Sequence, residues 1–162
     1  MAQGDKSEFN LYVGFEPRFL TESWYTDSEF DVSIAPFVFE QSLGEKMGAR
    51  IKSSVFYHVG SDSLNGLSII GGGIGIFYYL NEKSEDHQYQ GFFFGPWLEQ
   101  TWNEIERMRH TTVAAEVGHA FNLKRRWTLN LSAQGGASSF SRTDRPSEGH
   151  FGIYFNIGYW IF

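Results

Sequence analysis

The sequence predicts an all-β fold, an eight-stranded antiparallel up-and-down transmembrane β-barrel that occupies residues 1–162 as one domain, with 1–7 as a flexible N-terminus. Three observations predict it. Apolar and polar residues alternate with a period of two along eight segments, so each segment is a strand with one apolar face. Every segment is long enough for the roughly 9–11 residues that a tilted strand needs to cross a bilayer. The chain also combines 16 Phe with 18 Gly, a pairing suited to strands with one bulky face and one crowded, small-residue face. No run approaches the roughly 20 apolar residues of a helical span, and the mean hydropathy is slightly negative.

The first strand is expected from about Glu8 to Leu20, with Phe9, Leu11, Val13, Phe15 and Phe19 opposite Asn10, Tyr12, Gly14, Glu16 and Arg18. The polar loop Thr21 to Ser28 leads to a second strand, about Glu29 to Glu40. There Phe30, Val32, Ile34, Pro36 and Val38 oppose Asp31, Ser33 and Ala35, while Phe37 and Phe39 blur the alternation. After the turn Gln41–Glu45, the third strand (about Lys46 to Val59) sets Met47, Ala49, Ile51, Val55 and Tyr57 against Gly48, Arg50, Lys52, Ser54 and His58. Gly60–Gly66 is a loop signal. The fourth strand, about Leu67 to Leu80, carries Ile70, Ile74, Ile76 and Tyr78 opposite Gly71, Gly73 and Gly75, and glycines at alternate positions predict close packing on that face.

An acidic turn, Asn81 to His87, precedes the fifth strand, about Gln88 to Asn103. Pro96 removes a ladder donor there, so a bulge is expected. Glu104–Arg109 is a charged loop. The sixth strand (about His110 to Phe121), the tight turn Asn122–Arg126 and the seventh strand (about Trp127 to Ser138) follow. A polar loop, Ser139 to Glu148, leads to the eighth, about Gly149 to Phe162.

Two eight-stranded barrels fit this alternation. A soluble lipocalin-like barrel turns its apolar face inward around a ligand, and a membrane barrel turns it to lipid. Eight strands leave room only for packed side chains or one small ligand. The bulky face would overfill that space, whereas the Gly, Ser, Thr, Asn and Ala face fits it. The small-residue face also carries Glu16, Arg50, Lys52, Glu99 and Glu116. On the membrane reading these charges form a lumen network that blocks a channel, because buried charge must pair. On the soluble reading they are solvent-facing. With both termini periplasmic, outward aromatics are expected in two belts: Phe9, Phe121, Trp127 and Tyr159 near one rim, and Phe19, Tyr57, Trp102 and Phe151 near the other.

The closing segment Phe151–Phe162 resembles the last strand of outer-membrane proteins, with Tyr159, Trp160 and Phe162 as the assembly signal. That resemblance implies recognition by the barrel-assembly machinery. Trp160 and Phe162 break parity with Ile157, Tyr159 and Ile161, so a register shift or a periplasm-facing end is expected. The chain as a whole resembles small barrels of the OmpA/OmpX-like kind. It is also similar to an uncharacterised bacterial small-barrel family through Ala35-Pro36 leading to Glu40–Lys46, through Gly91–Trp97 and through Glu116–His119. The resemblance implies a bacterial outer membrane location, with lipid and lipopolysaccharide around the barrel. The start, Met1-Ala2-Gln3-Gly4-Asp5, reads as a mature N-terminus carrying an initiator Met, so a signal peptide is expected to have been removed.

Some outer-membrane barrels modify lipid A, so the resemblance raises the question of a Ser/His/acid set. His119 has lipid-facing parity, but Ser132 on the adjacent strand has the opposite parity and Ser53 lies far away in strand order, so no catalytic residue is assigned. His58, His87, His110, His119 and His150 show no metal-ligand spacing, and with no cysteine in the chain no metal or cofactor is expected. A net charge of -6 argues against nucleic acid. Arg107, Arg109, Arg142 and Arg145 fall in outer loops, where Arg suits bidentate phosphate contact, and Lys124-Arg125-Arg126 forms a basic turn. The leading expectation is a non-enzymatic structural or interaction module with other outer-membrane proteins as candidate partners. A lipid A-modifying hydrolase and a soluble apolar-ligand binder are the rivals.

Overall fold

Antiparallel pairing runs unbroken around the molecule. The computed structural model describes residues 10–20, 29–60, 65–84, 88–142 and 145–161. It contains β1 Leu11–Phe15, β2 Phe19–Leu20, β3 Phe30–Ser33, β4 Phe37–Ser42, β5 Met47–Val59, β6 Gly66–Tyr79, β7 Gly91–Asn103, β8 Met108–Asn122, β9 Trp127–Phe140 and β10 Glu148–Ile161. β1 and β2 are halves of one barrel strand, pairing β4 and β3 respectively. β3 and β4 are halves of the next, and both pair β5. Each later strand pairs its chain neighbours, β10 pairs β1, and the β5–β6 pairing completes the ring. This is a closed, eight-stranded, up-and-down barrel, which leaves no edge strand. It has no helix among the described residues.

Two prolines explain the broken strands. Pro17 and Pro36 cannot donate to a ladder, and the backbone around them finds other partners. The Glu16 amide donates to the Pro36 carbonyl (2.8 Å) and the Ile34 amide to that of Val55 (2.9 Å). Ser33 Oγ accepts from the Arg18 amide (2.9 Å) and Ser53 Oγ from the Phe37 amide (3.0 Å). The register against β5 moves from Ser33↔Phe56 to Val38↔Lys52. One extra residue therefore lies between β3 and β4, as in a bulge, and parity flips. This corrects the sequence expectation for the second strand. Val38 is fully buried inside, Phe37 and Phe39 point out, and Glu40 joins the interior.

Pro96 behaves differently from expectation. β7 pairs β8 without a shift from Gly91↔Ala120 to Asn103↔Met108. The β6–β7 register is also constant, merely lacking pairs between Gly75↔Trp97 and Tyr78↔Phe94. No bulge forms there; the β6–β7 ladder is instead interrupted at Pro96, which has no N–H to donate, and resumes in the same register. A bulge occurs instead in β6, between the pairs Phe56↔Ile69 and Tyr57↔Leu67, and it turns both Ser68 and Ile69 inward.

The glycines of β6 do make room for bulky neighbours. A Cβ on Gly73 would lie 2.2 Å from the Trp97 ring, and one on Gly75 2.8 Å from Phe77. Gly73→Val is expected to lower stability by about 1–3 kcal/mol through overpacking. Urea unfolding of the refolded protein, followed by tryptophan fluorescence, measures this, and unchanged stability would contradict the packing described.

Candidate functional site

The interior side chains of the barrel form a continuous ion-pair network. Adjacent inward positions on β5 bring Arg50 and Lys52 to the middle of the lumen. Arg50 donates from Nε to Glu40 Oε2 (2.8 Å) and from Nη1 to Glu116 Oε1 (2.9 Å), and its Nη2 lies 3.1 Å from the Tyr79 hydroxyl. Tyr79 in turn donates to Glu40 Oε1 at 2.6 Å. Lys52 Nζ lies 3.0 Å from Glu16 Oε2 and 3.2 Å from Glu116 Oε2. Gln134 also donates to Glu116, and Asn156 donates to Glu16 at 3.3 Å. Arg50 stacks over Phe77 (4.3 Å) and Phe93 (4.8 Å). Charge-assisted bonds of this length in a low-dielectric interior are the strong class.

The sequence-assigned set of Glu16, Arg50, Lys52, Glu99 and Glu116 thus lies within the barrel, and the structure adds three residues to it. Glu40 was hidden by the parity flip before β4. Arg18 shares that face by parity but falls outside the charged set read from the sequence. Its Nη2 donates to the Ser53 carbonyl (2.7 Å) and to Ser54 Oγ (3.0 Å), and its Nη1 lies 3.6 Å from Glu99. Tyr79 completes the cluster. Glu99 sits apart from Arg50, accepting from Ser54 and from Trp97 Nε1 (3.2 Å).

The end of the barrel nearest the termini is filled by aromatic rings. The segment expected to begin the fifth strand at Gln88 instead folds inward, and the strand starts at Gly91, whose φ of 80° provides the turn. Gln88 and Tyr89 are both buried. Tyr89 stacks on Tyr79 with centroids 4.1 Å apart and packs edge-on against Trp160. Its hydroxyl donates to the carbonyls of Gly44 (2.7 Å) and Met47. Burial pushes the Tyr89 phenol up to about 12. Trp160 stays in continuous register opposite Tyr12 and points into the lumen, donating to Thr128 Oγ1 at 3.2 Å. The register shift expected at this end does not occur through Ile161. Phe9 and Phe162 lie outside the described residues.

The opposite end holds a cavity of about 220 Å³ lined by Arg18, Phe56, Glu99, His110, His150 and Tyr154, among others. Arg145 crosses its rim, 2.6 Å from Glu106 and 3.3 Å from Glu148. Of the loop arginines, Arg145 is therefore engaged by carboxylates. Thr112 and Ser138 share a hydrogen bond of 2.7 Å on the wall.

The outer surface is apolar. Of the aromatics assigned to belts, Phe19, Tyr57, Trp102, Phe121, Trp127, Phe151 and Tyr159 are all exposed. Trp127 pairs with Tyr159 at one rim, and Phe19 and Tyr57 both pair with Val32 toward the other. Mid-barrel, Phe94, Val117 and Ile153 are among the exposed side chains, with Ile153 at 77%. Among the described strands, Arg109 is the only charged residue at an outward position. His119 faces out between Phe92 and Phe121, with ring centroids at 4.7 and 4.2 Å. Ser132, its neighbour on β9, is inside. His58 pairs with Asp31 through Nδ1 at 3.0 Å. Among the described residues, no group of three or more His, Cys, Asp or Glu could hold a metal ion.

No known protein family, curated protein or solved structure matches the chain. The fold and the interior define its class by themselves: a closed eight-stranded antiparallel β-barrel, plugged through its middle by paired charges and aromatic rings, with a cavity at the end away from the termini.

Proposed function

We propose that this barrel spans a bacterial outer membrane and serves, without catalysing a reaction, as a structural or interaction module of the envelope. Its surroundings are lipid and lipopolysaccharide, its partners other outer-membrane proteins, and the barrel-assembly machinery acts on it during biogenesis. The reading is by analogy with small barrels of the OmpA/OmpX-like kind. The observation that carries the reading is the inversion of polarity. Large apolar side chains cover the outside while Glu16, Glu40, Arg50, Lys52 and Glu116 are buried. A soluble barrel of this size gains nothing by exposing Phe, Ile and Leu on every strand, since exposed apolar patches promote association. In a bilayer the same surface is solvated by acyl chains, and closure satisfies the backbone.

The plug makes the module non-conducting. In planar bilayers the refolded protein is expected to give no stable large conductance, with insertion checked independently by protease protection in vesicles. A steady large conductance from inserted protein would refute the plugged lumen. Purification as a detergent-free monomer would refute the membrane reading.

A further inference from the structure

We infer, on the membrane reading above, that the turn between β8 and β9 is a headgroup site for an anionic phospholipid, with Lys124, Arg125 and Arg126 as its cations. The backbone gives the first support. The Trp127 amide donates to the Lys124 carbonyl (3.4 Å) and the Leu123 amide to the Trp127 carbonyl (2.7 Å). Arg125 and Arg126 are therefore the two central residues of a tight hairpin turn. Both take positive φ, 59° and 67°. Two successive positive φ values mark the type I′ turn, which suits the twist of the flanking strands and prefers Asn-Gly or Asp-Gly. Side chains with a Cβ are disfavoured there, and only Gly, Asn and Asp enter the region readily. Two adjacent arginines in such a turn cost stability that Asn-Gly would not, and backbone held in a costly conformation points to a use for the side chains it carries.

Charge gives the second. No acid lies between Asn122 and Trp127 in the sequence. Lys124 and Arg125 are exposed, and among the described residues neither side chain has an ion-pair or hydrogen-bond partner. Lys46, on another turn at the same end, is by contrast 3.8 Å from Glu82. The setting gives the third. Leu123 and Trp127 bracket the cations and are both exposed. Trp127 stands edge-on to Tyr159, with centroids 5.6 Å apart, and Trp and Tyr gather where headgroups meet acyl chains. Apolar anchors on either side of a basic cluster fit a ligand that joins phosphate to acyl chains better than a free anion, and Arg forks match phosphate oxygens. The platform is fixed, because the Arg126 carbonyl accepts from the Trp160 amide at 3.0 Å and so ties the turn to β10.

The test is titration of the refolded protein, in a non-ionic detergent at fixed ionic strength, with phosphatidylglycerol, phosphatidylcholine of the same chains, and inorganic phosphate, read by the amide resonances of residues 123–127. Phosphatidylglycerol is expected to give saturable shifts there, at an affinity at least tenfold above the other two, and this comparison needs no variant to fold. Each cation removed should weaken it about fivefold, so the double variant Arg125→Asn, Arg126→Gly should lose at least tenfold. The same variant should unfold at a higher urea concentration than the wild type, since the turn is relieved of strain. Arg109→Gln, at the far end, should leave phosphatidylglycerol binding unchanged. An equal response to phosphatidylcholine or to inorganic phosphate, no saturable response, undiminished binding by the double variant, or a lower unfolding midpoint for it would each overturn the inference. A folded barrel that inserts into vesicles without this preference loses the site and keeps the membrane reading; one that does not insert loses both.

Discussion

Arg50→Met is expected to destabilise the folded barrel by about 3–5 kcal/mol, the cost of breaking a buried charge cluster by removing one partner. The guanidinium is fully buried and binds Glu40 and Glu116, two carboxylates that have no water to turn to once it is gone. Glu116 keeps Lys52 and Gln134. Among the described residues Glu40 keeps only the Tyr79 hydroxyl, so most of the loss falls on it. Glu40→Gln in the Arg50→Met background is therefore expected to restore part of the stability, and Glu116→Gln less. Urea unfolding of the protein refolded into lipid vesicles measures all three. A small effect of Arg50→Met, or equal rescue by both second changes, would contradict this division of charge.

Val117→Arg is expected to cost about 2–4 kcal/mol in a bilayer, the penalty for a cation on the lipid face near the midplane. Val117 is exposed, mid-way along β8, and pairs with Phe94 and Ala133. It has no interior contact to lose, so the same substitution on a water-facing surface would fall within about 0.5 kcal/mol. The sign of the outcome thus reports the solvent rather than the packing. Val117→Arg protein that unfolds in vesicles at the wild-type urea concentration would place this face in water.

Much of the barrel was legible because period-two alternation is set by the pleat and survives single-sequence reading. β5 and β10 illustrate this: Met47, Ile51 and Tyr57 lie outside with Arg50 and Lys52 inside, and Phe151 to Ile161 follows one parity throughout. What the sequence hid was every point where the backbone departs from the pleat. One extra residue at Pro36 flipped β4 and concealed Glu40. The inward fold of Gln88 and Tyr89 was hidden because a polar, acidic stretch reads as an exposed turn, although Tyr89 and the positive-φ Gly91 signalled that the chain changes direction there. Pro96 misled in the opposite sense, since proline's missing donor needs only a gap in the ladder. The cavity was beyond reach of the sequence. Arg18, Glu99, His110 and His150 come from four different strands or strand ends, and only closure of the ring brings them to one cavity.

The most direct measurement of whether the apolar surface meets acyl chains is a nitroxide scan of β8 from Val113 to Phe121 in lipid vesicles, read by collisions with oxygen and with a water-soluble nickel chelate. Oxygen exposure should alternate with period two, high at 113, 115, 117 and 119 and low between them, with nickel excluded from the middle of the strand. High nickel exposure at those same odd positions would mean that the bulky face is bathed in water, and the membrane assignment would be wrong.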